Sequence, residues 1–300
     1  MDTQNLKAFV AVAEEQSFSA AAQRIHITQP AISKRIHLLE EKLGVKLFDR
    51  IGRQVSLTEA GRTLLPHARE VLSGIKQAEQ AIADLSGKVR GELKLITSHH
   101  IGLHRLPKIL RKYTEAYPDV ELNIRFMDSS QAYDSVLRGD CDLCIITEVN
   151  EKDDALASTT IWTDRMLFAA APQHPLSQQA TLSLKDISEF QALLPERHIY
   201  TTQLIESLFI ANGLNIKINL STNYLETIKA LISVGYAWGM LPESMLKDHS
   251  LSILNVVDSD SGQPVTLERN LDCIVHRHRA MSNAGNAFFQ LLKQHADSKQ

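Results

Sequence analysis

Three hundred residues, 44% of them apolar, suit two domains or a small domain joined to a larger one. No apolar run reaches the ~20 residues that span a bilayer, and Met1-Asp2-Thr3-Gln4 is no basic-then-apolar leader. The three cysteines, Cys141, Cys144 and Cys273, are too few for a disulfide scaffold, which agrees with a reducing compartment, so a cytoplasmic chain is expected. The net charge of −3 is uneven: residues 1–90 carry 13 Lys+Arg against 10 Asp+Glu, a net of +3, which leaves −6 for the rest. A mildly basic head on an acidic body fits a nucleic-acid module joined to a part that need not touch nucleic acid.

Leu6, Phe9, Val10, Val12 and Ala13 recur at near-helical spacing, which predicts a helix over residues 3–15. Residues 18–43 read as two short helices joined by a tight turn. The first is Ala-rich and capped by Ser17 or Ser19. The second starts at Thr28, carries Pro30 in its first turn and ends at Gly44. On it Ile32, Ile36, Leu39 and Leu43 form one apolar stripe. Gln29, Ser33, Lys34 and His37 lie off the stripe, where a helix entering a DNA major groove N-terminus first would need them. Gln can bond a base edge twice, Lys can reach a guanine or a phosphate, and Ser can hold a phosphate. The plainer alternative makes Gln29 and Lys34 solvent-facing helix residues. His26 and His37 have no ligand-like partner at close spacing and suit the rim or a phosphate better than a metal.

Val45 to Leu57 reads as a small hairpin around Gly52, with Arg50 and Arg53 at its tip, in reach of phosphates or the minor groove. Thr58 caps a long helix to about Leu85, with Pro66 inside it as a local kink. Its stripe, Leu64 through Leu85, is too long for a three-helix module to cover and suits pairing with a second copy. Residues 86–91 read as a hinge. Strands at 93–97, 120–127 and 143–147 then alternate with helices at 101–117 and 130–138, the βαβαβ pattern of a parallel sheet.

A second α/β block opens with a strand at 166–171 and continues through helices at 201–212 and 225–234 and strands at 216–220 and 238–242. A late strand at 271–276 and a helix at 283–294 are expected to return to the first lobe, as in hinged clamshells. Strand ends and helix starts put Ser98, His99, His100, Ser129, Ser130, Gln131, Thr147, Glu148, Thr201 and Thr202 at the mouth of an interlobe cleft, where α/β folds hold ligands. Ser98 and free N–H groups could hold a carboxylate, and Glu148 could receive an amine. The bland reading is a set of polar loops. Cys141 and Cys144 form a C-x-x-C pair, open to a redox or zinc role. However, the segment reads as a buried strand in which Cα atoms three apart lie roughly 10 Å from each other, beyond disulfide reach. A core role is expected. No Gly-x-Ser-x-Gly, P-loop or His-Glu-x-x-His appears, so no catalytic reading is supported.

The chain resembles a LysR-type transcriptional regulator over essentially its whole length. The likeness is strongest in Ser17-Phe18-Ser19-Ala20-Ala21-Ala22, Thr28-Gln29-Pro30-Ala31-Ile32-Ser33, Leu38 through Gly44, Leu47-Phe48-Asp49-Arg50 and Leu57-Thr58-Glu59-Ala60-Gly61. In the body it rests on Leu106-Pro107, Tyr117-Pro118, Gly139-Asp140-Cys141-Asp142-Leu143, His174-Pro175-Leu176 and Gly239-Met240-Leu241-Pro242. The resemblance implies an α/β multidomain chain without cofactor, resident metal or enzymatic activity. Residues 1–58 would form a winged helix-turn-helix and 59–90 a dimerising linker helix and hinge. Residues 91–300 would form a two-lobed effector domain resembling periplasmic binding proteins, with lobe I at 91–161 and 268–300 and lobe II at 162–267.

It also implies a dimer of dimers on an interrupted palindrome near a promoter, with RNA polymerase as a further partner and a small carboxylate-bearing effector that shifts the DNA contacts. Family base contacts map to Gln29, Pro30 and Lys34, and backbone contacts to Thr28, Ser33 and Arg53. Many members carry Arg where this chain has Lys34, and Lys lacks the bidentate fork, which leaves base or phosphate open there. The peroxide-sensing branch uses a cysteine pair in the second lobe, and this chain has none there. The competing reading is a solute-binding clamshell whose N-terminal unit only oligomerises.

Overall fold

A computed structural model describes residues 2–51, 54–84, 87–150, 153–258 and 261–297. Two compact units divide the chain, one over Met1–Lys88 and the other over Val89–Leu137 and Cys141–Gln300. No helix among the described residues is long and apolar enough to cross a membrane.

The first unit contains α1 (Thr3–Glu15), α2 (Phe18–Arg24), α3 (Gln29–Leu43), β1 (Phe48–Ile51), β2 (Gln54–Leu57) and α4 (Glu59–Asp84). Local chemistry sets the boundaries. Asp2, Ser17 and Thr28 accept the backbone N–H groups of Gln4, Ala20 and Ala31 as N-caps, and Gly44 closes α3 at φ 69°. Ser17, not Ser19, is the cap of α2. Leu6, Phe9, Val12, Phe18, Ala21, Ile32, Ile36, Leu39, Leu47, Phe48 and Ala68 make one core. Leu43 is not part of it, being 37% exposed. Glu40 is buried instead, because its carboxylate accepts the Lys46 ammonium at 2.8 Å and the Leu47 N–H at 2.9 Å.

α4 starts under a Thr58 cap and runs unbroken through Pro66. At about 1.5 Å per residue its 26 residues span roughly 39 Å. Its first half joins the core through Ala68, Leu64, Leu65 and Leu72. Val71, next to Leu72, is 46% exposed, and near the far end Ile82 is 71% exposed.

The second unit opens with β3 (Gly91–Thr97), α5 (His99–His104), α6 (Pro107–Ala116), β4 (Val120–Phe126), α7 (Ser129–Arg138) and β5 (Leu143–Thr147). β3 pairs in parallel with both β4 and β5, as the βαβαβ pattern requires. Successive side chains go to opposite faces: Leu143 and Ile145 meet α6 and the last helix, whereas Cys144 and Ile146 meet α7. The single helix expected over 101–117 is two, because Pro107 has no N–H and its ring excludes the carbonyl four residues back.

β6 (Leu156–Ala170), β7 (Leu182–Ser183), α8 (Leu184–Ser188), β8 (Gln191–Leu194), α9 (Tyr200–Ala211), β9 (Lys217–Ser221), α10 (Leu225–Ile232), β10 (Gly239–Pro242), β11 (Ser252–Ile253) and β12 (Val256–Val257) follow. β13 (Leu267–His276) and α11 (Asn283–Asp297) return to β5 and to the core under α6, as expected. One mixed sheet runs β10-β6-β13-β5-β3-β4, with β11 also on β6. The second lobe therefore has no strand that begins at Met166. β6 starts ten residues earlier, at Leu156, and pairs antiparallel with the whole of β13, from Leu156↔His276 to Met166↔Leu267. The expected lobe limits at 161/162 and 267/268 fall inside this two-strand ribbon.

Candidate functional site

The first surface is the start of α3. Burial of Ile32, Ile36 and Leu39 turns Thr28, Gln29, Pro30 and Lys34 to solvent, with Ser33 half-buried beside them. Thr28 spends its hydroxyl on the cap, 3.4 Å from the Ala31 N–H. The remaining orphan N–H groups of the first turn face outward with these side chains, the arrangement by which a helix N-terminus meets an anion. His26 sits in the turn before α3 at φ 55°, and His37 lies 3.2 Å from Glu41, one turn along the helix. In the wing, Ile51 pairs with Gln54. The tip residue Arg53 and the side chain of Arg50 lie outside the described residues.

The second site is a cleft of about 460 Å³ between the lobes of the second unit, within the usual range for small-ligand pockets. Ser98, His99, His100, Ser129, Gln131, Thr147 and Thr201 line it, as the sequence led us to expect. Ser98 caps α5 by backbone position only, its hydroxyl making no cap bond. The His99 ring stacks on Phe126 at 4.9 Å and meets the edge of Tyr224 at 4.8 Å, so it touches both lobes.

Three expected residues are elsewhere. Thr202 is fully buried and donates to the Pro195 carbonyl at 2.9 Å, because one helical step turns it from the cleft into the lobe. Ser130, likewise one step past Ser129, lines a neighbouring pocket with Tyr133 and Gln203. Glu148 accepts from the Asn270 side chain at 3.2 Å and is not among the residues that line the cleft.

The cleft floor holds a group that sequence reasoning missed. Arg269 lines the cleft and is itself 5% exposed. It is directly opposite Asp164 across the β6–β13 ribbon. Its Nε and Nη2 donate to Asp164 Oδ2 at 3.3 and 3.0 Å, and Nη1 donates to Thr201 Oγ1 at 3.1 Å. Arg105 Nη2 donates to the other Asp164 oxygen at 2.6 Å. Burial alone would push the Asp164 carboxyl up. The His100 ring at 3.6 Å and the two guanidiniums outweigh it and hold that carboxyl well below the usual range. The only sequence signal for this network is a pair of opposite charges in the middle of two strand-like runs.

Of the C-x-x-C pair, Cys144 belongs to the core and Cys141 is half-buried. Cys144 is buried on β5 and Cys273 on β13, burial pushes both thiols up, and none of the three cysteines is in a disulfide.

Residues 3–62 match the family described as bacterial regulatory helix-turn-helix protein, lysR family, and residues 86–297 match the LysR substrate binding domain. The chain belongs to the LysR family of transcriptional regulators. A probable RuBisCO transcriptional regulator of Trichormus variabilis is 30% identical over 97% of this chain and 88% of its own. The regulator YwqM of Bacillus subtilis is 28% identical over 98% and 99%. A regulator from the ibpB-leuC intergenic region of Azotobacter vinelandii is 60% identical over 36% of this chain and 74% of its own. Among solved structures, a full-length OxyR variant from Pseudomonas aeruginosa (TM-score 0.70, 20% identity, 99% and 94% coverage) shares the fold. So does CbnR complexed with its target DNA (0.67, 22%, 100% and 100%). The LysR family is one of regulators, not enzymes. The match over residues 3–62 decides for a DNA-binding regulator over a clamshell whose head only oligomerises.

Proposed function

We propose that this LysR-family regulator reads an interrupted palindrome near a promoter with the first turn of α3 and tunes that contact through a small carboxylate-bearing effector in the interlobe cleft. One observation carries the reading. The apolar stripe of α3 is buried while Thr28, Gln29, Pro30 and Lys34 stand together in solvent at its N-terminus. Gln29 and Lys34 then supply base or phosphate contacts, Thr28 and Ser33 flank them, and Arg50 and Arg53 belong to the wing that reaches the backbone. The carboxylate reading draws support from Arg269, whose three hydrogen bonds use three of five N–H donors, and from the hydroxyls of Ser98, Ser129 and Thr201 nearby.

Self-assembly follows the exposed apolar residues of α4. Val71 and Ile82 lie on a helix too long for its own unit to cover, and pairing of two such helices would bury them. A dimer of dimers, contact with RNA polymerase and residence in the cytoplasm complete the reading.

Gel retardation with the chain's own upstream DNA tests it. Binding should prefer that fragment over scrambled DNA and fall steeply between about 50 and 200 mM salt. Salt-insensitive binding, or none, overturns it. A thermal-shift screen of small carboxylates against matched amines tests the effector class. The carboxylate shift should shrink in Ser98→Ala and Ser129→Ala.

A further inference from the structure

We propose that His100, His104 and Glu226 bind one zinc-class divalent cation that links the two lobes of the effector unit. His100 also lines the effector cleft, but the regulator reading gives His104 and Glu226 no role, and ion binding by the cluster is measurable without DNA.

His100 and His104 are four residues apart on α5, so their rings share one face of the helix, with centroids 4.9 Å apart. Glu226 comes from the first turn of α10 in the other lobe. Its Oε1 lies 3.0 Å from His104 Nε2 and 3.7 Å from His100 Nδ1, and one donor atom from each residue falls within 4.8 Å of the other two. Donors around a tetrahedral zinc, with bonds of about 2.0–2.2 Å, are separated by roughly 3.3 Å. The two distances to Glu226, 3.0 and 3.7 Å, bracket that spacing, and the third pair lies within 4.8 Å, so side-chain rotation would have to close it. Two imidazoles and one carboxylate, with a fourth position left open, is a zinc-type ligand set.

The independent observation is the state of the His100 ring. The residue is only 5% exposed, and neither ring nitrogen has a hydrogen-bond partner. Buried imidazoles are ordinarily satisfied on at least one side. Here each nitrogen has a carboxylate oxygen beyond hydrogen-bond range: Glu226 at 3.7 Å from Nδ1 and Asp164 at 3.6 Å from Nε2. An ion on Nδ1 would satisfy that side, and the Nε2–H would then point at Asp164. This is the carboxylate–histidine–metal arrangement that fixes the tautomer of a ligating histidine. Arg105 and Arg269 hold Asp164 in place, so it serves behind the ligand and not as one. Glu226 is the one anionic ligand, so binding should be weaker than at thiolate-rich zinc sites. Because the histidines belong to one lobe and the glutamate to the other, an ion held by all three favours the approach of the lobes seen here.

The test is titration of chelator-stripped full-length protein with zinc sulfate in a non-coordinating buffer, read by calorimetry and thermal shift. Cobalt is the spectroscopic probe. The expected result is one ion per chain, a raised melting temperature and the visible absorption of four-coordinate Co²⁺. His104→Ala and Glu226→Gln are at half-exposed positions and should fold; each should weaken binding at least about tenfold, whereas His276→Ala should not. The proposal is overturned if wild type takes up no ion. It is also overturned if both ligand variants bind as wild type does, or if Cys141→Ser abolishes binding while His104→Ala does not.

Discussion

Replacing Asp164 by Asn removes one negative charge from between two guanidiniums and leaves the shape of the side chain unchanged. Asp164 and Arg269 are almost wholly enclosed, and Arg105 is 20% exposed. At 3.0 Å and an effective dielectric of about 20, one such pair is worth roughly 5 kcal/mol in Coulomb attraction before desolvation is counted. Removing one partner of a buried pair typically costs about 3–5 kcal/mol, because the other is left uncompensated. The amide keeps one oxygen acceptor but turns an N–H toward a donor. The expected loss is therefore about 3 kcal/mol, the lower end of that range.

Urea unfolding followed by tryptophan fluorescence reads this unit alone, since Trp162 and Trp238 are the chain's two tryptophans and both lie in it. Trp162 is two residues from Asp164 and carries the Arg105 guanidinium over its ring at 5.8 Å. The native carboxyl is depressed, so its stabilisation is full above the unfolded aspartate value of about 3.9 and is lost as pH falls through the lower native value. The difference between wild type and variant should be flat from about pH 6 to 8 and shrink below about pH 4. A difference under about 1 kcal/mol at about pH 7, or one that grows on acidification, would refute the reasoning.

Lys34→Ala and Gln29→Ala should each weaken operator binding by about 1–3 kcal/mol if they touch bases. If Lys34 holds a phosphate, its removal lowers the salt slope by about 1 and leaves sequence preference intact, which retardation across salt concentrations distinguishes. Gly61→Ala should destabilise the first unit by about 1–3 kcal/mol despite the better helix propensity of alanine. The new Cβ would sit 2.2 Å from the Leu47 carbonyl oxygen and 2.8 Å from Leu57 Cδ2. Circular dichroism melting checks this, and an unchanged or raised Tm would contradict it. Ile82→Glu should shift sedimentation toward a smaller species without changing the far-ultraviolet spectrum, and an unaltered sedimentation profile would remove α4 as the pairing element.

What the sequence disclosed was mostly what neighbours in the chain decide. The caps Ser17, Thr28 and Gly44 act within three residues of themselves, so the limits of α2 and α3 could be read directly. Burial of Glu40 could not be, because its partners Lys46 and Leu47 lie beyond the end of α3. Ser98, His99 and Thr201 were legible as cleft residues because strand ends and helix starts converge there by topology. Telling Thr201 from Thr202, or Ser129 from Ser130, requires the rotational phase of the helix. Asp164 and Arg269 are 105 residues apart and meet only once β13 has returned to β6. The same long return hid the true start of β6, since Leu156 to Trp162 finds its partner more than a hundred residues later.

The ribbon formed by β6 and β13 constrains how the cleft works. Two antiparallel strands joined by a ladder of hydrogen bonds resist sliding along their length, since a slip of even one residue would exchange their faces. They yield more readily to twist. Their register shifts once, between Leu271 and Asp272, where Ile161 has no Cα partner, and bulges concentrate local twist. Cleft motion should therefore be torsional, wound about this segment, with the Asp164–Arg269 clamp beside it setting the stiffness. A torsion spring stores work in proportion to the square of its angle, so small rotations are cheap and large ones steeply costly. An effector would then act by resetting the rest angle of a stiff element, delivering a few degrees reproducibly in place of a wide opening and closing.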